Sequence, residues 1–254
     1  AIGFRPRRSV VLVGLRNRVL RVVQRIDTTD HLGFIGEICE VLVADGEIGD
    51  YELVIVDDAS TDDTGAIAAE DPHVHVVHHE TNRKLGGSIK TGLAACTGDI
   101  VLYTDADLPF DMAELSRAFR ILRNYEADII SAYRLDRTGE GLRRTVYSFV
   151  YNGLVTAGFG VRFRDINFAF KLIRRRVLDH VQVKSEGSFI DAEFMIRASR
   201  MGFQVVQIGV DYFPRTRGVS TLSSAGVIRT ILGEMRDLRH ELKSVRPLDL
   251  DGDR

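Results

Sequence analysis

Short apolar segments alternate with segments of helical periodicity through the first half of the chain. Helical spacing or small-residue composition predicts helices over Leu32–Val43, Gly87–Ala95 and Pro109–Leu122, the last with its proline in the first turn. Strands that alternate with helices are typical of right-handed crossovers, so the pattern predicts an α/β fold. Its mostly parallel sheet, flanked by helices, would contain strands at Ser9–Val13, Tyr51–Val56, Val74–Val77, Ile100–Thr104 and Ile129–Tyr133.

The alternation changes after Arg134, where we predict a small mixed C-terminal portion. The predicted helices there are Leu142–Val155, Phe189–Met201 and the long amphipathic Ser223–Leu242, and the predicted strands are Phe168–Ile173 and Gln204–Val210. The chain has 254 residues and is 44% hydrophobic, which is enough for one large domain with a substantial core.

Composition excludes several classes of protein. The formal net charge is -2, which gives no support to nucleic-acid binding. The two cysteines, Cys39 and Cys96, lie in apolar helical patterns, and we expect buried reduced thiols of a cytosolic protein. No apolar segment approaches the roughly 18 residues of a membrane span, so we expect any membrane contact to be peripheral.

Carboxylates follow two of the predicted strands. Asp57 and Asp58 come after "ELVIV", and Asp105 and Asp107 come after "IVLYT". Ligands bind outside the carboxyl ends of the strands in open parallel sheets. Residues i and i+2 of an extended segment point the same way, so Asp105 and Asp107 can approach one Mg²⁺ or Mn²⁺ ion. The alternative is that these aspartates are turn residues or helix caps, which aspartate also favours.

These motifs occur in an ordered series that resembles a known family. "ELVIVDDASTDDT" followed by "NRKLGGSIKTGLAACTGDIVLYTDADLP" resembles the family 2 glycosyltransferases of the GT-A fold. The chain is most similar to the dolichol-phosphate mannose synthase and polyprenyl-phosphate glycosyltransferase branch, from about residue 51 to about residue 232. The resemblance implies a Rossmann-like GT-A domain over residues 1–242, with a nucleotide-sugar half at 9–134, an acceptor half at 135–242 and a tail at 243–254.

The resemblance also implies a nucleotide-sugar site. The D-x-D motif, Asp105 and Asp107, would bind the metal, although Pro109 stands where that branch commonly has a further glutamine ligand. Gly86 and Gly87 would let the backbone approach the nucleotide. The residues implied to bind the nucleotide sugar are Asp57, Asp58, Ser60, Lys90, Asp105 and Asp107, with Asn82 beside them.

The acceptor residues follow from four further motifs of the same resemblance. The block "DINFAFK" provides Asp165 and Lys171, and "GSFIDAEF" provides Asp191 and Glu193. "ISAYR" provides Arg134, and "PRTRGVSTL" provides Arg215, Gly218 and Ser220. The residues implied to bind the acceptor are Arg134, Glu193, Arg215 and Ser220, and those implied to be catalytic are Arg134, Asp191 and Arg215.

The implied reaction transfers a sugar, with inversion, from a UDP- or GDP-sugar to a polyprenyl or dolichyl phosphate. A phosphate monoester is largely anionic at neutral pH and needs positioning cations rather than a base. A soluble hydroxyl acceptor, the first alternative, would need a general base, for which Asp191 is the candidate. Peripheral membrane contact would use the helices at 142–158 and 223–242, with Phe149, Phe159 and Phe163 as apolar contacts or as core residues. The sequence indicates no oligomeric state.

The segment after the first strand departs from the family. Relatives normally continue with Pro-x-Tyr-Asn-Glu, whereas residues 13–17 here read Val-Gly-Leu-Arg-Asn. Residues 13–30 have three explanations: a divergent loop, a basic amphipathic helix on anionic lipid, or a reading-frame artefact. Because half of the expected base pocket is missing, a non-catalytic nucleotide-binding descendant is the second alternative.

Overall fold

The structure, a computed structural model, describes residues 8–15, 39–60, 64–70, 74–105, 110–111, 113–137, 142–212 and 225–250. Within these ranges seven strands form one sheet in the order β3-β2-β1-β4-β6-β5-β7. The strands are β1 (Arg8–Leu15), β2 (Tyr51–Asp57), β3 (Val74–His78), β4 (Ile100–Thr104), β5 (Ile129–Arg134), β6 (Phe170–Arg174) and β7 (Val205–Val210).

The sheet is mostly parallel, as predicted. Strand β6 alone among these strands is antiparallel, and it pairs with both β4 and β5. The C-terminal strands therefore extend the same sheet and mix its direction. From β1 the chain order runs outward through β2 and β3 on one side, while β4 lies on the other side of β1. The carboxyl end of β1 therefore marks a topological switch point, where ligands bind in sheets of this kind.

Helices cover both faces of the sheet. They are α1 (Thr64–Ala68), α2 (Lys84–Ala95), α3 (Glu114–Asn124), α4 (Leu142–Phe159), α5 (Arg175–His180), α6 (Ile190–Met201) and α7 (Ala225–Ser244), and residues 39–44 are also helical. One core cluster packs α3 and residues 39–44 against the sheet. The other packs α2, α4, α5, α6 and α7 against it. The predicted thiols are confirmed: Cys39 and Cys96 are free and buried, and burial raises the pKa of each to about 12.

Several predicted boundaries were wrong. Helix α2 begins at Lys84, so Gly86 and Gly87 lie inside its first turn rather than before it. Helix α3 begins at Glu114, because Phe110 instead forms an antiparallel bridge with Tyr212. The predicted tail is partly ordered against the domain: the backbone N–H of Leu248 donates to the Met201 carbonyl at 2.9 Å, and Leu250 packs on the core.

The three arginines at 174–176 lie beside the amino end of β4 and bond to the segments around it. Arg174 lies opposite Ile100 in the sheet and donates to the carbonyls of Ala127 and Leu122 at 2.8 and 3.1 Å. Arg175 donates to the Gly98 and Cys96 carbonyls, and Arg176 pairs with Asp128. Arg174 and Arg175 thus satisfy backbone carbonyl groups at and just after the ends of α2 and α3, away from the switch point.

Candidate functional site

The acidic clusters predicted from the sequence flank the switch point. Asp57 ends β2 level with Leu15 of β1, and Asp105 directly follows β4 on the other side of β1. Neighbouring strands lie about 4.8 Å apart, so the two clusters are separated by roughly 10 Å across the sheet. That span suits a nucleotide whose two ends contact different carboxylates.

Asp57 is held as an ionised hydrogen-bond acceptor. Its Oδ1 accepts from the Ser60 backbone N–H at 3.0 Å, and its Oδ2 contacts Nδ1 of His78 at 3.0 Å. Burial raises the pKa of Asp57, but the hydrogen bonds from Ser60 and His78 outweigh it and leave the pKa below its usual value. His78 reaches this carboxylate because it is the register partner of Asp57 on β3.

Asp58 ties β2 to the segment that enters α2. It is 1% exposed, and its Oδ1 accepts from Nδ1 of His79 at 2.8 Å and from the Arg83 backbone N–H at 2.7 Å. Its carbonyl accepts from the Asn82 amide at 3.4 Å. Ala59, directly after it, has a left-handed φ of 60°, so the chain turns sharply there. The predicted nucleotide residues Asp58 and Asn82 are therefore neighbours.

The α2 glycines serve the protein's own packing. The backbone N–H of Gly86 donates to the Glu186 carbonyl at 3.0 Å, and a Cβ on Gly86 would lie 2.8 Å from the Cα of Glu186. Lys90, predicted to meet a phosphate, forms an ion pair with the Glu186 carboxylate. The expectation that Gly86 admits a ligand is thus corrected, because the loop 184–187 occupies that approach.

The predicted metal ligands lie only in part within the described residues. Asp105 is half-buried at the carboxyl end of β4, while Asp107 and Pro109 lie outside the described residues. Among the described residues, no group of three or more histidine, cysteine or acidic side chains could hold a metal ion. The donor type nevertheless fits: a partly exposed carboxylate at a strand end is a hard oxygen ligand of the kind that Mg²⁺ and Mn²⁺ prefer.

Arg134 forms a buried bidentate ion pair with Asp165. Its Nε and Nη2 donate to the two carboxylate oxygens of Asp165 at 2.7 and 2.8 Å, and its guanidinium lies over the rings of Phe168 and Tyr212. Arg137 donates to the same carboxylate at 2.8 Å, and its side chain is 19% exposed against 6% for Arg134. The phosphate contact of Arg134 stays a prediction, and Arg137 is the more exposed of the two guanidiniums on this carboxylate.

Asp191 and Lys171 form a buried ion pair. Their side chains are 4% and 1% exposed, and Nζ of Lys171 lies 2.7 Å from Oδ1 of Asp191. The ammonium also donates to the Phe168 carbonyl at 3.0 Å and lies 5.2 Å from the centre of the Tyr103 ring. The Asp191 carboxylate and the Lys171 ammonium are therefore each other's buried counter-ions.

Glu193 holds the loop 184–187 through backbone hydrogen bonds. It is 0% exposed, and it accepts from the backbone N–H groups of Lys184 and Ser185 at 3.0 and 2.7 Å and from Nε of Arg197 at 2.8 Å. The prediction that Glu193 binds the acceptor stays a prediction, and the contacts described for this carboxylate are all within the protein. Arg215, Gly218 and Ser220 lie outside the described residues.

Sequence reasoning missed three residues of the site. His78 and His79 contact the two β2 carboxylates, and Arg137 shares Asp165 with Arg134. A histidine pair directly after the third predicted strand was the available signal for the first two. Arg137 follows Arg134 by three positions, but nothing in that spacing indicates a common partner.

Helix α4 presents an exposed apolar face. Phe149 is 80% exposed, whereas Phe159 is buried against Phe189 and Phe163 packs partly on the core. Of the three phenylalanines considered for membrane contact, only Phe149 is therefore on this surface. We define the α4 apolar face as Val146, Tyr147, Phe149, Val150 and Leu154. No described helix is both long enough and apolar enough to span a bilayer.

Comparison with known proteins identifies the family. The model for glycosyl transferase family 2 matches residues 23–182, which is more than half of the chain. The chain belongs to glycosyl transferase family 2. Family membership confirms the resemblance inferred from the motifs, and the match begins beyond the divergent residues 13–17.

This family 2 chain is similar to several curated glycosyltransferases. Glycosyltransferase AglD of Haloferax volcanii is 31% identical over 192 residues, which cover 72% of this chain but only 30% of AglD. The undecaprenyl-phosphate mannosyltransferase of Micrococcus luteus is 26% identical over 203 residues, covering 74% of this chain and 83% of that protein.

Solved structures support the GT-A fold. Mannosyl-3-phosphoglycerate synthase from Rubrobacter xylanophilus matches with a TM-score of 0.66 and 19% identity, covering 98% of this chain and 79% of that one. The mannosyltransferase PcManGT from Pyrobaculum calidifontis, in complex with GDP-Man and Mn²⁺, matches with a TM-score of 0.54 and 19% identity, covering 85% and 59%.

Proposed function

We propose that this family 2 chain is an inverting glycosyltransferase that moves a sugar from a UDP- or GDP-sugar to a polyprenyl or dolichyl phosphate. The observation that carries the proposal is the position of Asp57, Asp58 and Asp105 on both sides of the switch point. The donor half is residues 9–134 and the acceptor half is residues 135–242 of one GT-A domain.

The nucleotide sugar binds over the carboxyl ends of β2 and β4. Asp57 and Asp58 accept hydrogen bonds from the base or ribose, with Ser60 and Lys90 beside them. Asp105 and Asp107 hold Mg²⁺ or Mn²⁺, which when bound neutralises the diphosphate and stabilises it as a leaving group. The complex of PcManGT with GDP-Man and Mn²⁺ supports this pairing of donor and metal in a related fold.

The acceptor class follows from the charges in the acceptor half. Arg134 and Arg137 both pair with the carboxylate of Asp165, so two guanidinium groups converge on this one carboxylate. Guanidinium groups of this kind bind a phosphate, and the R-x-x-G-x-S motif adds a further cation, Arg215, and a hydroxyl donor, Ser220. Asp191 is paired with Lys171, so the site offers no free base at that position, and a phosphate acceptor needs none.

The reaction is a single displacement. A phosphate oxygen of the lipid forms the new bond to the anomeric carbon on the face opposite the nucleotide. The bond between that carbon and the diphosphate oxygen breaks at the same step, and UDP or GDP leaves. Attack from the opposite face inverts the configuration, and the arginines orient the attacking phosphate without exchanging a proton.

The α4 apolar face brings the protein to its lipid substrate. Five exposed apolar side chains on one helix form a larger patch than scattered surface residues would, and such patches mark docking sites. Helix α4 contains no acidic residue, which favours an anionic lipid surface. We infer peripheral membrane contact through this face, with the acceptor half oriented toward the bilayer.

Calorimetric titration with UDP and GDP, with and without Mn²⁺, tests the donor site. Asp107→Ala should abolish metal-dependent binding, and Asp58→Asn should weaken binding by about tenfold, the cost of one hydrogen bond to a charged group. Asp179→Asn, on the exposed surface of α5, is the matched control and should bind as the wild type does. Folded wild-type protein that binds neither nucleotide would refute the donor site and, with it, the proposed transferase function.

A transfer assay then tests the acceptor. Polyprenyl phosphate in vesicles should be glycosylated by the donor class that the titration identifies, and the product should have the inverted anomeric configuration. Transfer to a soluble hydroxyl compound but not to the lipid phosphate would instead support the hydroxyl-acceptor alternative. Such a result would require Asp191 to leave Lys171.

A further inference from the structure

The His79 ring joins two elements of the nucleotide site. Its Nδ1 lies 2.8 Å from Oδ1 of Asp58, and its Nε2 lies 2.9 Å from Oγ1 of Thr91 in α2. The side chain is 5% exposed, so water does not compete for either bond. Asp58 itself is 1% exposed, and both of its described carboxylate bonds fall on Oδ1.

The two contacts determine the proton positions on the ring. An ionised carboxylate only accepts hydrogen bonds, so Nδ1 of His79 must carry the proton toward Asp58. In the neutral ring Nε2 then accepts from the Thr91 hydroxyl. The ring is thus fixed at both ends, and rotation about its side-chain bonds would break one contact or the other.

We propose that His79 is a positioning residue that sets the Asp58 carboxylate for nucleotide binding. This inference rests on the proposed function, because it assumes that Asp58 contacts the nucleotide. Within the described residues, the hydrogen bonds to the Asp58 carboxylate come from His79 and the Arg83 backbone, and both fall on Oδ1, so these two donors set the orientation of the carboxylate. Without the histidine, one backbone N–H would have to hold a buried carboxylate in place.

His78 shows why the role falls to His79. Its contact with Asp57 has a similar length of 3.0 Å, but its side chain is 55% exposed, so water can replace it. In addition, no hydrogen bond described for the His78 ring links it to a second element. Of the two histidines, only His79 has described hydrogen bonds that link the residue after β2 to α2.

Two substitutions at position 79 separate positioning from packing. In His79→Asn the amide N–H can occupy the place of Nδ1 and still donate to Asp58, but it cannot reach Thr91. In His79→Gln the amide reaches toward Thr91 and no longer donates at the Nδ1 position. His75→Gln, at an exposed histidine of β3, the strand that leads to His79, is the matched control.

The readouts are the dissociation constant for UDP or GDP, measured calorimetrically with Mn²⁺, and the melting temperature. We expect His79→Gln to weaken nucleotide binding by about tenfold or more, and His79→Asn to restore it to within about threefold of wild type. His75→Gln should match the wild type. This pattern, in variants that are folded at the assay temperature, supports the positioning role.

Three results would overturn the inference. Wild-type affinity in His79→Gln would show that Asp58 needs no help from the ring. Equal losses of affinity in both variants, tracking equal losses of melting temperature, would show that the ring only packs. Wild-type protein that binds no nucleotide would overturn the proposed function and this inference with it, whereas the first two results leave the proposed function intact.

Discussion

Replacing Lys171 should show how much the stability of the fold depends on its buried ion pair with Asp191. The two side chains are 1% and 4% exposed, and the Lys171→Met change would leave the Asp191 carboxylate buried without its counter-ion. Breaking a buried pair on one side costs about 3–5 kcal/mol, whereas replacing both partners with apolar groups is often neutral. For a domain of this size, such a loss lowers the melting temperature by roughly 10 °C.

The assay is urea unfolding of the wild type, Lys171→Met, Asp191→Leu and the double variant. We expect each single variant to lose several kcal/mol of unfolding free energy. The double variant should recover much of that loss, because no uncompensated charge remains in the core. Arg236→Met, at an exposed ion pair with Asp237, is the control and should change stability by about 1 kcal/mol or less. Simple additivity of the two single losses would refute the coupling.

Three further predictions follow from the site and its surroundings. His78→Gln should raise the lowered pKa of Asp57 in a carboxyl NMR titration. Ionised Asp57 stabilises the fold above its unfolded pKa of about 3.9, and this stabilisation is lost as the pH falls through the lower folded pKa. Because the substitution raises the folded pKa, the variant should lose the stabilisation at a higher pH than the wild type does. Gly86→Ala should cost about 1–3 kcal/mol in urea unfolding, because its Cβ would overlap the loop 184–187, while Gly233→Ala, with open space around it, should be neutral or stabilising. Phe149→Ser should weaken sedimentation with anionic vesicles without lowering the melting temperature, and Tyr125→Ser, which is also exposed, should leave vesicle binding unchanged.

The sequence determined the elements and the ligand edge of the sheet. Ile100–Thr104 was predicted with its observed bounds, and β2, β5 and α6 were each predicted to within about one residue. These predictions succeeded because apolar periodicity is a local property, and because parallel strands bring their carboxyl ends to one edge. The aspartates after β2 and β4 could therefore be assigned to the switch point from the amino-acid sequence alone.

Only the tertiary structure decided which charged groups are available to a ligand. Arg134 contacts Asp165, and Lys171 contacts Asp191, because β6 lies antiparallel between β4 and β5. No local sequence pattern encodes that strand pairing. The same holds for His79 and Asp58, which are 21 residues apart in the chain. A motif specifies residue types at fixed spacings, whereas hydrogen bonds and ion pairs depend on which distant segments the core brings into contact. The physical reason is that burial makes each charged group require a partner, and the fold alone selects that partner.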